Sequence, residues 1–183
     1  MVAAGAVVTR DVPPYAIVKG NPARIACYSN AVSHKPDGPK INANSSSVKG
    51  VALLSLKTVS DMRGDLLAVE TQKDIPFKVA RVFTIMNVPS HHIRGEHAHK
   101  KCHQLLVCLQ GSVKILTDNG ISRKEWVLNR PELGLHIEPY VWAAQFNYSQ
   151  NAVLSVYASR PYEANDYIRD YEDFLSFIKK NKK

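Results

Sequence analysis

Between residues 51 and 158 short runs rich in β-branched and aromatic residues recur at regular intervals, and this spacing constrains the fold more than any other feature of the chain. The runs cover 51–59, 66–70, 77–88, 97–109, 113–117, 122–128, 135–137, 142–148 and 153–158. Turn residues separate them, and Asp118-Asn119-Gly120 is the strongest hairpin signal in the chain. Strands this short and this many predict an all-β domain, a sandwich or a small barrel.

Beyond Pro161 the period changes. Tyr167, Tyr171, Phe174, Leu175 and Ile178 stand at helical spacing behind Asn165 or Asp166 as a cap, which predicts an amphipathic helix over 165–178. Such a helix covers a barrel edge, and its aromatic stripe is read as packing.

With 183 residues, 45% hydrophobic and 22% charged, the chain can bury one full core. The organisation expected is a Pro-rich arm at 1–28, a linker at 29–50 and the all-β domain at 51–183. The linker reads from Ser33-His34-Lys35-Pro36-Asp37-Gly38-Pro39 and the polar stretch 42–47, which have no period. Cys27, Cys102 and Cys108 make neither a Cys-x-x-Cys pair nor a disulfide framework. No apolar run is long enough for a membrane span, and Met-Val-Ala-Ala-Gly lacks the basic region of a signal peptide. A cytoplasmic protein with no membrane partner is expected. The net charge of +8 lies partly in the tail Lys179-Lys180-Asn181-Lys182-Lys183, read as a solvated end and not as a nucleic-acid arm.

The stretch 94–111 carries the chemistry: Arg-Gly-Glu-His-Ala-His-Lys-Lys-Cys-His-Gln-Leu-Leu-Val-Cys-Leu-Gln-Gly. On a strand, His97 and His99 project from one face into one pocket. Imidazoles titrate near neutrality, so the pair can take a proton from one substrate atom and return it to a neighbour. The same spacing suits a metal. The cupin superfamily, double-stranded β-helix barrels, has a similar first motif in which a glutamate follows the histidines; here Gln104 takes that place and Gly111 follows at the right interval. The second cupin motif resembles 134–144, where alanines replace the third histidine, and His103 and His136 do not restore the set. Two imidazoles and an amide make a poor metal site, so no metal and no other cofactor is expected.

Residues 51–180 resemble the cupin-type sugar 3,4-ketoisomerases, which interconvert thymidine-diphosphate-linked 4-keto and 3-keto 6-deoxyhexoses. The resemblance rests on Asp61-Met62-Arg63-Gly64-Asp65-Leu66, Ile75-Pro76-Phe77, Ala80-Arg81-Val82-Phe83, Arg94-Gly95-Glu96-His97-Ala98-His99-Lys100, Pro139-Tyr140-Val141-Trp142 and Asn165-Asp166-Tyr167-Ile168-Arg169-Asp170-Tyr171. It implies a cupin jelly-roll with a C-terminal helix and His97 and His99 as the catalytic acid and base, their roles undivided. Arg94 is expected to stabilise the enediolate oxygen, and Arg81 resembles the family's diphosphate-contacting arginine. Gln104, Tyr140 and Trp142 complete the expected substrate site, with Gln104 reaching the histidine face only through a bulge, since 99 to 104 is an odd interval. Tyr140 and Trp142 are equally suited to core packing. Two positions depart from the family pattern: Ala143, where many relatives have histidine, and Phe83-Thr84-Ile85-Met86, where many have tyrosines. Both bear on the configuration of the product at carbon 4.

Residues 7–23, Val-Val-Thr-Arg-Asp-Val-Pro-Pro-Tyr-Ala-Ile-Val-Lys-Gly-Asn-Pro-Ala, resemble the closing rung of hexapeptide-repeat acyltransferases. Such enzymes occur fused ahead of ketoisomerases in pathways to N-acylated amino sugars of surface glycans. One rung cannot bury its own face, so the arm is read as a remnant without acyl transfer. The resemblance also implies a homodimer acting on a dTDP-linked keto-deoxyhexose. The competing functions are a dTDP-sugar epimerase, a non-catalytic nucleotide-sugar binder and a metal-dependent cupin oxygenase.

Overall fold

The structure is a computed structural model, and it describes residues 1–12, 16–28, 48–90 and 92–181. These fall into two compact units. One comprises the described part of 1–39 with 58–66, and the other 48–57 with 67–181.

In the first unit, β1 (Ala16–Lys19) and β2 (Arg24–Tyr28) form an antiparallel hairpin. The chain start runs parallel to β1 through a bridge between Val2 and Val18, with the Val18 N–H donating to Met1 O at 2.9 Å. Ala16 and Val18 are buried there. The other part is a hairpin of β4 (Lys57–Asp61) and β5 (Gly64–Ala68). Arg63 closes its turn on Asp61, and Val59, Met62 and Leu66 are exposed.

The second unit is an antiparallel roll of two five-stranded sheets. One has the order β10-β9-β12-β7-β14, built from β7 (Arg94–His99), β9 (Val113–Asp118), β10 (Arg123–Leu128), β12 (Trp142–Phe146) and β14 (Tyr167–Ile168). The other has the order β3-β11-β8-β13-β6, built from β3 (Val51–Ser55), β6 (Arg81–Met86), β8 (Gln104–Gln110), β11 (Leu133–Ile137) and β13 (Val153–Ala158). Ile115, Trp126 and Ala143 of the first sheet meet Leu106, Leu135, Leu154 and Val156 of the second in one core between the layers. Alternation sends Leu105 and Val107 to the outer face, where Leu56, Ile75, Phe77 and Val79 cover them. The cupin jelly-roll expected from the sequence is the fold observed.

Three sequence expectations change. Residues 97–109 are not one strand: β7 and β8 belong to opposite sheets, joined by the turn at 100–103. Residues 51–59 likewise break into β3 and β4. The helix begins later than expected: α1 runs Tyr171–Asn181, capped by Asp170, whose carboxylate accepts the Asp173 N–H at 2.9 Å. Residues 164–166 are instead a short 3-10 turn, and Tyr167 lies on β14. From 171 onward the stripe is packing as read, with Phe174 fully buried against Ala98, Trp142 and Ile168. The Asp118-Asn119-Gly120 signal forms the β9–β10 turn, with Gly120 at φ +78° and its N–H on Asp118. Among the described residues no helix is long and apolar enough to cross a membrane. The expected linker falls at 29–47 outside the described residues.

Candidate active site

Strand β7 carries a bulge. Opposite it on β12, Ala143 pairs with His97 but Ala144 pairs with Gly95, so Glu96 is the extra residue, at φ +48°. Gly95 is at φ +84°, and a Cβ there would come within 3.0 Å of the Ala143 carbonyl, so glycine is needed for this close approach. Past the bulge normal alternation resumes. Ala98 faces the helix cluster, and His97 and His99 share the opposite face, their rings edge-to-face at 4.9 Å.

Each imidazole is fixed through Nδ1. His97 Nδ1 lies 2.6 Å from the Gly95 carbonyl oxygen, which only accepts, so Nδ1 carries the proton and Nε2 the lone pair. His99 Nδ1 lies 2.7 Å from Asp166 Oδ2 in a pair almost wholly withdrawn from solvent. The second carboxylate oxygen of Asp166 accepts the Lys101 N–H at 2.7 Å. His99 Nε2 is buried without a hydrogen-bond partner among the described residues. A buried polar nitrogen left unpaired has a hydrogen-bonding capacity that a bound molecule can satisfy.

Tyr167 pairs with His99 across β7 and β14, and its ring touches both imidazoles, at 4.8 Å from His97 and 4.4 Å from His99. Arg169 lies over the Tyr167 ring at 4.4 Å. Arg81 lies over Phe83 at 5.0 Å and Tyr162 at 5.7 Å, with its Nε buried and unpartnered among the described residues. Burial is the main force lowering the pKa of His97, to about 4; the Gly95 bond opposes it, while His99 and Arg169 reinforce it. Burial also lowers the pKa of His99, with Asp166 pulling upward and Arg81 and Arg169 downward. Both rings are held neutral, as bases must be.

The structure therefore brings His97, His99 and Arg81 together. Arg94 begins β7 beyond the bulge, exposed, and lines a separate pocket with Met86, Asn87, Pro89 and Gly95. The arginines whose charge bears on the histidines are Arg169 and Arg81. Gln104 is buried on β8 of the other sheet, paired with Ile137 and Ala158, and shares the inward parity of Leu106, so it faces the interior without needing a bulge of its own; the bulge lies on β7. Tyr140 stacks on Phe177 of α1 at 5.3 Å. Trp142 packs edge-on against Tyr171 at 5.2 Å, on the outer face of its sheet, because it pairs with Ala98 and not with a histidine. Trp142 is thus buried in packing, while Tyr140, though stacked on Phe177, stays 43% exposed. Sequence reasoning missed Asp166, Tyr167 and Arg169 as site residues, although all three stand in the quoted motif 165–171.

The usual cupin metal set does not fit. Ala143 and Ala144 face β7 where a third imidazole would be needed, and Gln104 offers only an amide. His103 and His136 form their own stacked pair beside Phe77, 3.2 Å apart between Nδ1 and Nε2. What the site can do is move protons: two lone-pair nitrogens on one face, one backed by a carboxylate, with cationic groups close by.

A two-sheet antiparallel roll carrying paired imidazoles on an inner strand face defines a protein of the cupin class. The chain belongs to the family described as FdtA, WxcM-like, C-terminal, which it matches over residues 49–179. It is 41% identical over 128 residues to the TDP-4-oxo-6-deoxy-alpha-D-glucose-3,4-oxoisomerase of Aneurinibacillus thermoaerophilus, covering 70% of this chain and 92% of that one. Among solved structures it is similar to the sugar 3,4-ketoisomerase QdtA of Thermoanaerobacterium thermosaccharolyticum in complex with TDP, at 41% identity and TM-score 0.71, over 74% of this chain and 98% of that one. It is also similar to the TDP-quinovose 3,4-ketoisomerase WlaRB of Campylobacter jejuni, at 39% identity and TM-score 0.68, over 70% of this chain and 99% of that one.

Proposed function

We propose that this chain is a dTDP-4-keto-6-deoxyhexose 3,4-ketoisomerase that moves the ketone from carbon 4 to carbon 3 by proton transfer alone, without metal or other cofactor. The observation that carries the reading is the His99–Asp166 pair with its unpartnered Nε2. The solved QdtA relatives include a variant in complex with TDP-4-keto-6-deoxyglucose, which supports the choice of substrate.

The two histidines have different partners, and this divides their work. Asp166 holds the Nδ1 proton of His99 and stabilises the imidazolium formed when Nε2 takes a proton. His97 leans on a neutral carbonyl and is the poorer cation. His99 is therefore the base that removes hydrogen from carbon 3; the electron pair becomes the carbon 3–carbon 4 double bond, and the carbonyl pair moves onto the carbon-4 oxygen. His97 Nε2 accepts the proton of the carbon-3 hydroxyl and passes it to the carbon-4 oxygen. The pair on the carbon-3 oxygen closes the new ketone, and carbon 4 recovers the proton from His99. Proton and electron counts balance without a redox partner. Arg81 is assigned to the diphosphate, its Nε unpaired until ligand arrives, and Arg169 supports the developing negative charge.

The enzyme is read as cytoplasmic, since Cys102 and Cys108 are buried free thiols. It is read as a homodimer because, among the described residues, β6 ends its sheet without a further strand, with Val82 and Met86 exposed. The arm at residues 1–28 is read as a remnant of an acyltransferase rung and not as an active domain. The test is proton NMR of dTDP-4-keto-6-deoxyglucose with purified protein, with and without chelator. Signals of the 3-keto sugar in both samples support the reading; substrate unchanged at high enzyme concentration overturns it, and product lost only with chelator overturns the metal-free mechanism.

A further inference from the structure

We infer that His99, Cys102 and Asp166 form a binding site for a thiophilic divalent cation of the zinc type, and that filling it switches the isomerase off. The three bring one ligand atom each within 4.8 Å of one another, all buried, and among the described residues no other set of three such donors does so. His99 and Cys102 are three apart across a turn, as in chelating loops where two ligands of a zinc site flank two residues. Asp166 arrives from the 3-10 turn on the far side. An imidazole nitrogen, a thiolate and a carboxylate are the mixed donor set zinc takes, with a fourth position left for water.

Among the described residues the thiol is held weakly: Cys102 Sγ has a 3.4 Å contact to the His103 carbonyl and a 3.8 Å contact from the Ser159 hydroxyl. Sulfur and nitrogen ligands of tetrahedral zinc stand roughly 3.5 Å apart, so the set must contract by about 1 Å, within reach of one side-chain torsion. Binding changes the proton inventory in a defined way. Cys102 loses its proton to solvent. The His99 nitrogen facing Asp166 gives its lone pair to the metal, and the ring proton moves to Nε2, the atom that is buried without a partner. Asp166 turns from hydrogen-bond acceptor to ligand. An Nε2 that carries a proton on a metal-bound neutral ring cannot take the carbon-bound hydrogen, so the cation competes with catalysis and does not assist it.

The inhibitory half rests on the isomerase reading, and the binding half does not. The full chain is titrated to equilibrium with cadmium chloride while the ultraviolet thiolate-to-metal absorbance is followed, and turnover is measured in parallel with zinc chloride. The wild type should develop the band to one equivalent, Cys102→Ala should lose it, and Cys102→Ser should fold as the wild type and also lose it. Stoichiometric zinc should lower wild-type turnover at least tenfold, with metal-free turnover of Cys102→Ser within about twofold of wild type and indifferent to zinc. A band that survives in both variants, or no band in the wild type, overturns the site. A band that depends on Cys102 while turnover ignores zinc overturns the switch. A wild type that shows the band but never isomerises overturns the isomerase reading and leaves the metal site standing.

Discussion

His99 Nδ1 and Asp166 Oδ2, 67 residues apart in sequence, lie 2.7 Å from each other in the interior of the roll. The pair fixes the tautomer of His99, and with it the nitrogen that acts as base in the proposed reaction. Asp166→Asn presents an amide that can donate to Nδ1 and thereby select the wrong tautomer, as replacing the carboxylate of a catalytic triad does. Turnover should fall about 10²- to 10⁴-fold, with KM changing far less and the circular dichroism spectrum unchanged. Equal turnover in variant and wild type would show that the carboxylate only anchors the turn.

Arg81 is poised for an anion. Its guanidinium lies over the rings of both Phe83 and Tyr162, and its Nε is buried and unpaired among the described residues. Arg81→Lys keeps the charge and loses the planar fork, so dTDP should bind about 10- to 100-fold more weakly by calorimetry, the loss of one or two charge-assisted hydrogen bonds. Unchanged affinity would remove Arg81 from the diphosphate site.

How much of this was legible in the sequence follows from the range of each signal. Strand alternation and the Asp118-Asn119-Gly120 turn are local, and the two sheets follow from them. The break between β7 and β8 has no glycine or proline to mark it; Lys100, Lys101, Cys102 and His103 make the turn, with the Lys100 and Lys101 amides bound to Asp166. The helical spacing of Tyr167 with Tyr171 and Phe174 is real in the sequence, yet only residues from 171 onward are helical, because Tyr167 pairs with His99. Tertiary pairing overrode a local period. The same override hid Asp166, which looked like a helix cap, and gave that role to Asp170. Arg94 looked like the site arginine because it is near His97 in sequence, but the bulge at Glu96 intervenes, and the charges that reach the histidines are those of Arg169, just past β14, and Arg81 on β6.

Asp118 ties the helix to the sheet. Its carboxylate accepts from the Gly120 N–H at 2.7 Å, the Tyr171 hydroxyl at 2.7 Å and Arg123 at 2.9 Å. Burial pushes its pKa up, but these three donors outweigh burial and hold it below the ordinary 3.8. A carboxyl depressed in the folded state stabilises above its unfolded pKa and loses that contribution as pH falls through the folded value. Asp118→Asn should therefore lower Tm at neutral pH, and the gap from wild type should narrow as pH drops below about 4. A gap that stays constant down to acid unfolding would mean the carboxylate charge is not what the three donors stabilise.

The division of labour between the two histidines is the centre of the account, and exchange in deuterated water tests it most directly. Proton NMR of dTDP-4-keto-6-deoxyglucose in D2O is followed with His97→Asn and with His99→Asn. The prediction is that His97→Asn still washes deuterium into carbon 3 while forming little 3-keto product, and that His99→Asn does neither. Deuterium entering carbon 3 at the wild-type rate with His99→Asn would contradict the assignment of His99 as the carbon base.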